Sequence, residues 1–371
     1  MIKLDDYNLG RCYIGSFSSS PDTTAYLLAH HLNPIYYDNG LLILGNEDVA
    51  FSIPSEKTAF FEDLHDLDVL EIYDNGTVRL QCSEYTDDNT LFITSKCNSN
   101  CVMCPSGDYS RRKGVIPEAS EIMDLVRHYP CNAKHITITG GEPFLFRESM
   151  FQALSYLKEH LNETEFLVLT NGRIFCLDKY VEELVQTMPR YTTLAIPLHG
   201  STADRHDSIT RAVGSFTQTL SGISKLLSVH VPIELRIVVS HLNSDDVTSI
   251  ARLIIDQIPR VYSVHFIGLE MLGNAAVNGP EVWIPYRDAF EASKEAINLL
   301  IHAGINVALY NFPLCAVDRT YWPLCKKSIS EYKRNFPDPC QNCKQAPSCG
   351  GVFAGSLRYS INDLRPFEES S

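Results

Sequence analysis

The loop KCNSNCVMCPSG, residues 96–107, concentrates potential metal ligands within the 371-residue chain. Its three cysteines, Cys97, Cys101 and Cys104, are spaced C-x3-C-x2-C. Thiolates at such close spacing bind zinc or an iron–sulfur cluster. A structural zinc site requires four ligands, whereas three thiolates hold three corners of a [4Fe–4S] cube and leave the fourth iron open. An open coordination position is what a catalytic metal centre uses to bind its substrate.

A second group of cysteines lies near the end of the chain, at Cys315, Cys325, Cys340, Cys343 and Cys349. Their spacing fits a further cluster or a zinc ribbon, because thiolate spacing alone separates these metals poorly. A zinc site could also combine the two C-x2-C segments at 101–104 and 340–343. That arrangement leaves Cys97 and three of the later cysteines without a role.

The remaining four cysteines stand alone, at Cys12, Cys82, Cys131 and Cys176. Free cysteine commonly behaves as a small apolar residue, so we expect these four thiols in the core. The chain begins MIKLDDYNLG, without a basic segment followed by an apolar one. We therefore expect no signal peptide and a cytoplasmic location, where reduced thiols favour metal binding over disulfides.

The charge balance argues against a nucleic-acid partner. Lysine and arginine total 31, aspartate and glutamate total 45, and the formal net charge is −14. Affinity for a phosphate backbone depends on basic side chains, so an acidic chain disfavours it. The run Arg111-Arg112-Lys113 after the cysteine loop is either a solvated loop or an anion contact. No apolar run approaches the ~18 residues of a membrane span, so we expect no membrane partner.

From about residue 90 the sequence alternates short apolar runs with longer amphipathic ones. The short runs predict strands at 91–94, 135–140, 166–171, 193–199, 233–240 and 263–270. The amphipathic segments predict helices near 118–129, 147–161, 178–188, 215–229, 243–258 and 286–303. Alternating strands and helices of this kind form parallel sheets with crossover helices. The predicted fold class is therefore α/β, a partial (β/α)6 barrel of the TIM-barrel type.

Four short motifs follow the first four predicted strands. They are the cysteine loop, the stretch Gly140-Gly141-Glu142-Pro143, the turn Asn171-Gly172 and the pair His199-Gly200. In barrels and open α/β sheets the active site lies at the carboxyl ends of the strands. We therefore expect all four motifs on one face of the sheet.

Two flanking segments differ from the barrel. Residues 1–89 contain the turn sequences Asp38-Asn39-Gly40 and Asp74-Asn75-Gly76 between short strands, which predict a small β-rich domain with at least one short helix. Residues 304–371 are rich in cysteine and proline and end in the polar FEESS. The predicted domains are 1–89, a barrel at 90–303 and a cysteine-rich C-terminal extension at 304–371.

The motifs together resemble one known family. The loop with Cys97, Cys101 and Cys104, the GGEP stretch and the TNG turn resemble the core of the radical S-adenosylmethionine (SAM) enzymes, over about residues 90–351. The resemblance implies that the open iron of a [4Fe–4S] cluster chelates SAM. One electron then cleaves SAM to methionine and a 5′-deoxyadenosyl radical, which abstracts a hydrogen atom from the substrate. It also implies a reductant such as flavodoxin or ferredoxin.

The resemblance assigns further residues to SAM. Those it implies are Gly140, Gly141, Glu142, Pro143, Asn171 and Arg236. In the family, GGEP holds the methionyl amino group, and a fifth-strand cation such as Arg236 meets the methionyl carboxylate. The segment 206–216, HDSITRAVGSF, makes Arg211 a further candidate, and GLEMLGNAA at 268–276 resembles the strand that lines the adenine or is an ordinary turn. One departure is Pro197-Leu198, where the family often has a serine that contacts the cofactor.

The tail resembles the auxiliary-cluster extension, of SPASM or twitch type, found in radical enzymes that modify peptides or build cofactors. The fuller version of this extension has C-x2-C-x5-C-x3-C and two clusters, whereas here Phe353 stands at the last position. The resemblance therefore implies one auxiliary [4Fe–4S] cluster, for which five cysteines compete.

A narrower resemblance concerns the substrate. The segments VHFIGLEMLGNAAVN (264–278) and YNFPLCAVD (310–318) resemble the radical SAM maturases of His-Xaa-Ser systems. This implies a ribosomally made peptide or small protein as substrate and a second radical SAM enzyme as partner. The alternatives are an enzyme of small-molecule cofactor biosynthesis, a zinc-binding scaffold without catalysis, and an electron-transfer protein, which would not need GGEP.

Overall fold

The structure, a computed structural model, describes residues 2–4, 7, 9–47, 49–114 and 117–367. Two larger sheets organise these residues: a mixed sheet from the N-terminal segment and a parallel sheet that carries the predicted motifs. None of the helices in these ranges combines the length and the apolar character needed to cross a membrane.

The N-terminal segment forms the mixed sheet. Its strands are β1 (Ile2–Lys3), β2 (Tyr13–Phe17), β3 (Pro34–Asp38), β4 (Leu41–Leu44), β5 (Val49–Ser52), β6 (Val69–Ile72) and β7 (Thr77–Cys82), with helices α1 (Pro21–Ala29) and α2 (Thr58–Glu62). In the part described, the strand order is β1-β7-β6-β2-β3-β4-β5. The turn Asn39-Gly40 joins β3 to β4 with left-handed backbone at both residues (φ 48° and 81°), as a two-residue hairpin requires. The predicted β-rich character of this segment is confirmed.

The parallel sheet contains the six strands predicted from the sequence and two more. Its described strands are β8 (Asn89–Phe92), β9 (His135–Thr139), β10 (Glu165–Leu169), β11 (Tyr191–Pro197), β12 (Ile233–Val238), β13 (Ser263–Ile267), β14 (Asn306–Tyr310) and β15 (Cys325–Lys326). They lie in chain order from β8 at one edge to β15 at the other, and neighbouring strands are parallel. This order is that of an incomplete barrel, so the predicted fold class is confirmed.

Amphipathic helices cover the outer face of this sheet. The described helices after β8 are α3 (Asp108–Lys113), α4 (Ala119–Arg127), α5 (Arg147–His160), α6 (Asp178–Thr187), α7 (Ala203–Thr210), α8 (Ser215–Ser228), α9 (Val247–Gln257), α10 (Gly273–Val277), α11 (Gly279–Val282) and α12 (Tyr286–His302). Strand residues such as Ile136, Val168 and Leu235 share a fully buried core with helix residues such as Leu154 and Ile250. Because strand side chains alternate between two faces, the intervening residues point into the barrel.

The sheet extends past the boundary predicted at residue 304. β14 pairs with β13 from Asn306 to Tyr310, and β15 pairs with β14 through Cys325 and Lys326. The prediction assigned these residues to the tail, and the two residues of β15 are too few to give a periodic pattern. One cysteine of the second group, Cys325, therefore lies on the barrel sheet itself.

Beyond the sheet, the tail consists mostly of short 3₁₀ turns. β16 (Arg334–Asn335) pairs antiparallel with β17 (Val352–Phe353), and helix α13 (Leu357–Ser360) follows. Val352 and Leu364 of the tail belong to the same buried core as the barrel strands. The tail is therefore packed onto the barrel, while the end of FEESS, residues 368–371, lies outside the described residues.

The scattered cysteines differ from the prediction. Cys82 is buried as expected, and Cys176 is half-buried. Cys12 and Cys131 are exposed, so the expectation of a core position is wrong for both. Cys12 precedes β2 and donates its thiol to Glu71 Oε1 at 3.5 Å, whereas Cys131 lies in the turn between α4 and β9, where no apolar face requires it.

Candidate functional site

The cysteine loop leaves the carboxyl end of β8 and leads into α3. Cys97, Cys101 and Cys104 are each partly exposed, and the Ser99 N–H donates to Cys97 Sγ at 3.4 Å. Burial, and then the neighbouring thiols, raises the pKa of Cys101 to about 12. Burial also raises the pKa of Cys97, while the positive charge of Arg111 opposes the increase at both thiols. A metal cluster would have to displace these protons, because thiolates are the ligands.

The two cysteine groups are assembled separately. The thiols that act on Cys101 electrostatically are those of Cys104 and Cys97. Those that act on Cys340 all belong to the tail. The two C-x2-C segments are therefore not brought together as one set of zinc ligands in the described part of the chain. Among the described residues, no three His, Cys, Asp or Glu side chains converge as they would around a single ion.

The GGEP stretch lies directly against the segment that leads into the loop. The Gly141 N–H donates to Thr94 O at 2.6 Å, and the Glu142 N–H donates to Lys96 O at 2.8 Å. A side chain at Gly141 would overlap the Lys96 carbonyl, and one at Gly140 would overlap the Thr94 carbonyl. Both glycines are needed because the chain approaches itself closely here.

The side chain of Glu142 is buried, at 2% exposure, and joins GGEP to the TNG turn. Its carboxylate accepts hydrogen bonds from the Phe144 N–H at 3.2 Å, the Thr170 hydroxyl at 2.8 Å and the Asn171 N–H at 2.7 Å. Burial raises the pKa of Glu142 despite these donors. Because these partners all belong to the protein, the carboxylate braces the two motifs, and its contact with SAM stays a prediction.

The TNG turn reaches the loop between its first two cysteines. Asn171 Nδ2 donates to Asn98 Oδ1 at 2.6 Å. A guanidinium nitrogen of Arg173 donates to Asn98 O at 2.7 Å and to Ser99 Oγ at 3.1 Å. Gly172 has left-handed backbone (φ 72°), which glycine adopts without strain. The sequence singled out Asn171 but not Arg173.

Two asparagines beyond β13 hold the loop from the other side. Asn274, which is 5% exposed, donates from Nδ2 to Asn100 Oδ1 and to Cys101 O, both at 3.0 Å. Asn278 Nδ2 donates to Val102 O at 2.9 Å. Both asparagines lie in the stretch VHFIGLEMLGNAAVN quoted above, and the sequence did not single them out.

The segment after β11 completes the surroundings of the loop. The Asn100 N–H donates to Thr210 O and the Val102 N–H to Ile209 O, each at 2.9 Å. Arg211 itself is exposed. The cysteine loop, GGEP and TNG thus meet at the carboxyl ends of the strands, as expected, and the contact from the side of the fourth motif is made by residues 209–210, which follow His199-Gly200 in the chain.

The position of the family's serine is followed by a buried histidine. His199 comes directly after Pro197-Leu198 and is 4% exposed. Burial, and then the neighbouring His206, lowers the pKa of His199 to about 3, so its imidazole is neutral at physiological pH. The structure therefore places a neutral ring directly after the position where the family often has a hydroxyl.

Arg236 lies on β12 with its side chain inside the barrel. Its Nε donates to Glu234 Oε1 at 2.6 Å, and His265 Nδ1 lies 3.1 Å from the same oxygen. Burial alone would raise the pKa of Glu234, but His265 and Arg236 hold that pKa below its ordinary value. Arg236 therefore already has a carboxylate partner, and a second carboxylate from SAM would have to share it.

The tail contains a small, partly open cavity. Four cysteines line it, namely Cys315, Cys340, Cys343 and Cys349. Apolar side chains such as Leu314, Phe336 and Phe367 form much of the remaining wall. Within the described tail, Cys325 is not among the lining residues.

Hydrogen bonds to sulfur distinguish Cys343 and Cys349 from Cys325. Cys349 Sγ accepts from the Leu314 and Gly351 N–H groups at 3.4 Å, and Cys343 Sγ accepts from the Phe367 N–H at 3.4 Å. Cys325 instead donates its thiol to Tyr321 O at 3.9 Å. N–H groups directed at sulfur stabilise thiolate ligands of iron–sulfur clusters, whereas a donating thiol is protonated.

The fold and the site define an α/β-barrel protein with a thiolate-rich loop at the carboxyl ends of its strands. Residues 91–254 match the family described as the Radical SAM superfamily. This region of the chain is therefore similar to that superfamily, whose members use a [4Fe–4S] cluster and SAM.

Several proteins of known function are similar to the chain. A GTP 3′,8-cyclase of Listeria monocytogenes is 29% identical over 213 residues, which is 56% of this chain and 61% of that protein. The sporulation killing factor maturation protein SkfB of Bacillus subtilis is 22% identical over 165 residues, 43% of this chain and 38% of SkfB. Streptococcus suis SuiB bound to the precursor peptide SuiA superposes with a TM-score of 0.49 and 13% identity, over 59% of this chain and 48% of SuiB. The chain thus spans less than two thirds of these relatives.

Proposed function

We propose that this chain is a cytoplasmic radical SAM enzyme that modifies a ribosomally synthesised peptide or small protein. It carries a catalytic cluster on the loop and one auxiliary cluster in the tail. The observation that carries the proposal is the cavity lined by four cysteines next to a barrel that already holds the three-cysteine loop. A radical enzyme with two metal centres needs both features, whereas a zinc scaffold needs neither the barrel motifs nor an open loop.

Cys97, Cys101 and Cys104 are the proposed ligands of the catalytic cluster. When bound, this cluster supplies the electron that cleaves SAM. The residues around the loop keep it in one conformation: Glu142 fixes GGEP against TNG, and Asn171 and Asn274 bind the loop from opposite sides. Such positioning lets a cofactor be held without rearrangement of the protein.

Gly140, Gly141, Glu142, Pro143, Asn171 and Arg236 remain the proposed SAM-binding residues. Glu142 and Asn171 serve mainly as braces for the backbone that faces the ligand, because their side chains are already bonded within the protein. Arg236 would contribute a positive charge shared between Glu234 and the methionyl carboxylate.

Cys315, Cys340, Cys343 and Cys349 are the proposed ligands of the auxiliary [4Fe–4S] cluster, which leaves Cys325 as the spare fifth cysteine. The cavity lining and the direction of the sulfur hydrogen bonds both support this division. Three thiolate corners in the loop and four in the tail would give the two clusters different roles, since only the first retains an open iron.

A peptide substrate is supported by the likeness to SkfB, whose name describes maturation of a killing factor. The edge of the N-terminal sheet adds a physical reason. β5 (Val49–Ser52) pairs with β4 and ends the sheet, and an extended peptide can add a strand to such an edge. The finer proposal is a His-Xaa-Ser-type maturase that works beside a second radical SAM enzyme and receives electrons from flavodoxin or ferredoxin.

The second candidate function is synthesis of a small-molecule cofactor, which the likeness to a GTP cyclase favours. The anaerobic protein, reconstituted with iron and sulfide, can be incubated with SAM, dithionite and either GTP or a short peptide rich in His-Xaa-Ser. We expect 5′-deoxyadenosine together with a mass change in the peptide and none in the nucleotide. A modified nucleotide and an unchanged peptide would reverse the assignment, and colourless protein without iron would exclude both functions.

A further inference from the structure

The basic run after the cysteine loop is divided by the fold into two different environments. Arg112 is on the outside of α3, with a side chain 78% exposed and an ion pair to Asp108. Arg111, its neighbour, is 7% exposed. The sequence allowed two interpretations of this run, a solvated loop and an anion contact. Arg112 fits the solvated loop, whereas the buried Arg111 does not.

Arg111 is bonded to both ends of the cysteine loop. One terminal guanidinium nitrogen donates to Ser99 O at 3.2 Å, between the first two cysteines. The other donates to Ser106 O at 3.0 Å, just after the third. The planar fork of the guanidinium thus spans the segment that carries Cys101 and Cys104, which an ammonium group could not do.

Within the part of the chain that the structure describes, the positive charge of Arg111 has no carboxylate partner. In the described ranges, no Asp or Glu oxygen lies within ion-pair distance of its guanidinium, and its Nε is buried without a hydrogen-bond partner. A buried charge without a counter-ion is costly. Negative charge on the loop thiolates would compensate it, and both Cys97 and Cys101 lie within its electrostatic reach.

We propose that Arg111 is a positioning residue whose buried charge stabilises the reduced state of the cluster on the cysteine loop. This inference rests on the proposed function, because it requires a cluster held by Cys97, Cys101 and Cys104. A cluster bound by thiolates becomes more negative when it accepts an electron, so a fixed positive charge nearby favours reduction. The two hydrogen bonds hold that charge over the loop, and removal of the charge makes the cluster harder to reduce.

The test compares Arg111→Gln, Arg111→Lys and Arg112→Gln in the full-length reconstituted protein by anaerobic redox titration followed by electron paramagnetic resonance. The catalytic cluster is identified as the signal that changes when SAM is added. At the wild-type midpoint we expect Arg111→Gln to lower the ratio of reduced to oxidised cluster about tenfold, or about 59 mV for one electron. Arg111→Lys, which keeps the charge, should change the ratio less than about threefold, and Arg112→Gln should not change it.

Arg111→Gln with the wild-type midpoint overturns the inference. If Arg111→Gln binds no cluster, the test uses Arg111→Lys instead. A cluster in Arg111→Lys with a ratio of reduced to oxidised cluster close to that of the wild type supports the role of the charge. Loss of the cluster from Arg111→Lys as well, in a metal-free protein that melts like the wild type, overturns it. A wild-type protein without any SAM-responsive signal is a different outcome, because it contradicts the proposed function.

Discussion

The two cysteine groups differ in the spacing of their cysteines along the chain and in the groups that hold them in place. The loop takes Cys97, Cys101 and Cys104 from one short segment, and side chains of distant segments, including Asn171 and Asn274, hold it in place. The tail combines the distant Cys315 with three cysteines from residues 340–349 and surrounds them with apolar side chains and backbone N–H groups. A local group needs outside support to keep its shape, whereas a dispersed group exists only when its whole segment is folded.

This difference has a consequence for metal binding. A dispersed set of ligands is absent from the unfolded chain, so binding of the metal and folding of the tail are coupled. The loop is contiguous, and the side chains that hold it, such as Asn171, Asn274 and Asn278, belong to segments that precede the tail. Loss of the tail cluster should therefore disturb the tail without removing the loop site, and the following changes test that independence.

The largest effect is expected from Cys101→Ala. Removal of one of three ligands in a contiguous loop should reduce cleavage of SAM by about a thousandfold or more, to the background of the assay, because residues that act as one unit are lost together. Formation of 5′-deoxyadenosine measures the effect. Cys12→Ala, which removes an exposed thiol in the N-terminal segment, is the matched control. Cleavage retained after Cys101→Ala would contradict the ligand assignment.

The next effect separates the two groups. Cys349→Ala should lose about four iron atoms per chain while it retains SAM cleavage within about tenfold, because the loop is supported independently. Cys325→Ala should keep the wild-type iron content, since its thiol donates to Tyr321 O and lies away from the cavity lining. Iron analysis and the cleavage assay measure both. Equal iron losses from the two variants would show that the tail does not distinguish these cysteines.

A smaller effect is expected from the outside support of the loop. Asn274→Ala removes two hydrogen bonds donated to the loop and one accepted from the Asp108 N–H. The free energy of unfolding of the metal-free protein should fall by about 3 kcal/mol, at about 1 kcal/mol per buried hydrogen bond. Urea denaturation measures it, with the exposed Asn162→Ala as the control. If the two variants have equal stability, the loop does not depend on Asn274.

The smallest effect lies outside both cysteine groups, where the N-terminal sheet meets the barrel. His128 at the end of α4 is buried and its Nδ1 lies 2.8 Å from Ser16 Oγ of β2. Burial lowers the pKa of His128 to about 4. Because the pKa of His128 is lower in the folded state than in the unfolded state, the unfolded chain binds more protons between these two pKa values. The protein therefore keeps its full stability above about pH 6.5 and loses stability as the pH falls towards 4.

When the pH is lowered from 7 to 5, the free energy of unfolding should therefore fall by about 2 kcal/mol less in His128→Gln than in the wild type. Denaturation curves at the two pH values measure the change. His302→Gln, at the exposed end of α12, should leave the pH dependence as in the wild type. An unchanged pH dependence in His128→Gln would mean that this histidine is not held neutral at the junction.

The sequence predicted the parts of the protein whose signals are local. The six strands from β8 to β13 follow from β-branched runs of the right length, and the convergence of the cysteine loop, GGEP and TNG follows from the rule for strand ends. The sequence did not predict β14 and β15 as part of the sheet, or Asn274 and Arg173 as supports of the loop. A polar residue gives the same sequence signal whether it faces solvent or a carbonyl 3 Å away.

The amino-acid sequence by itself determined the spacing of the cysteines, the order of strands and helices and the glycines where the chain must approach itself. Only the tertiary structure decided which tail cysteines line one cavity and that the Glu142 carboxylate is hydrogen-bonded to the TNG turn. It also decided that Arg111 is buried while the adjacent Arg112 is exposed. The physical reason is that covalent spacing fixes what neighbours along the chain can do, whereas burial and partners depend on segments that meet only after folding.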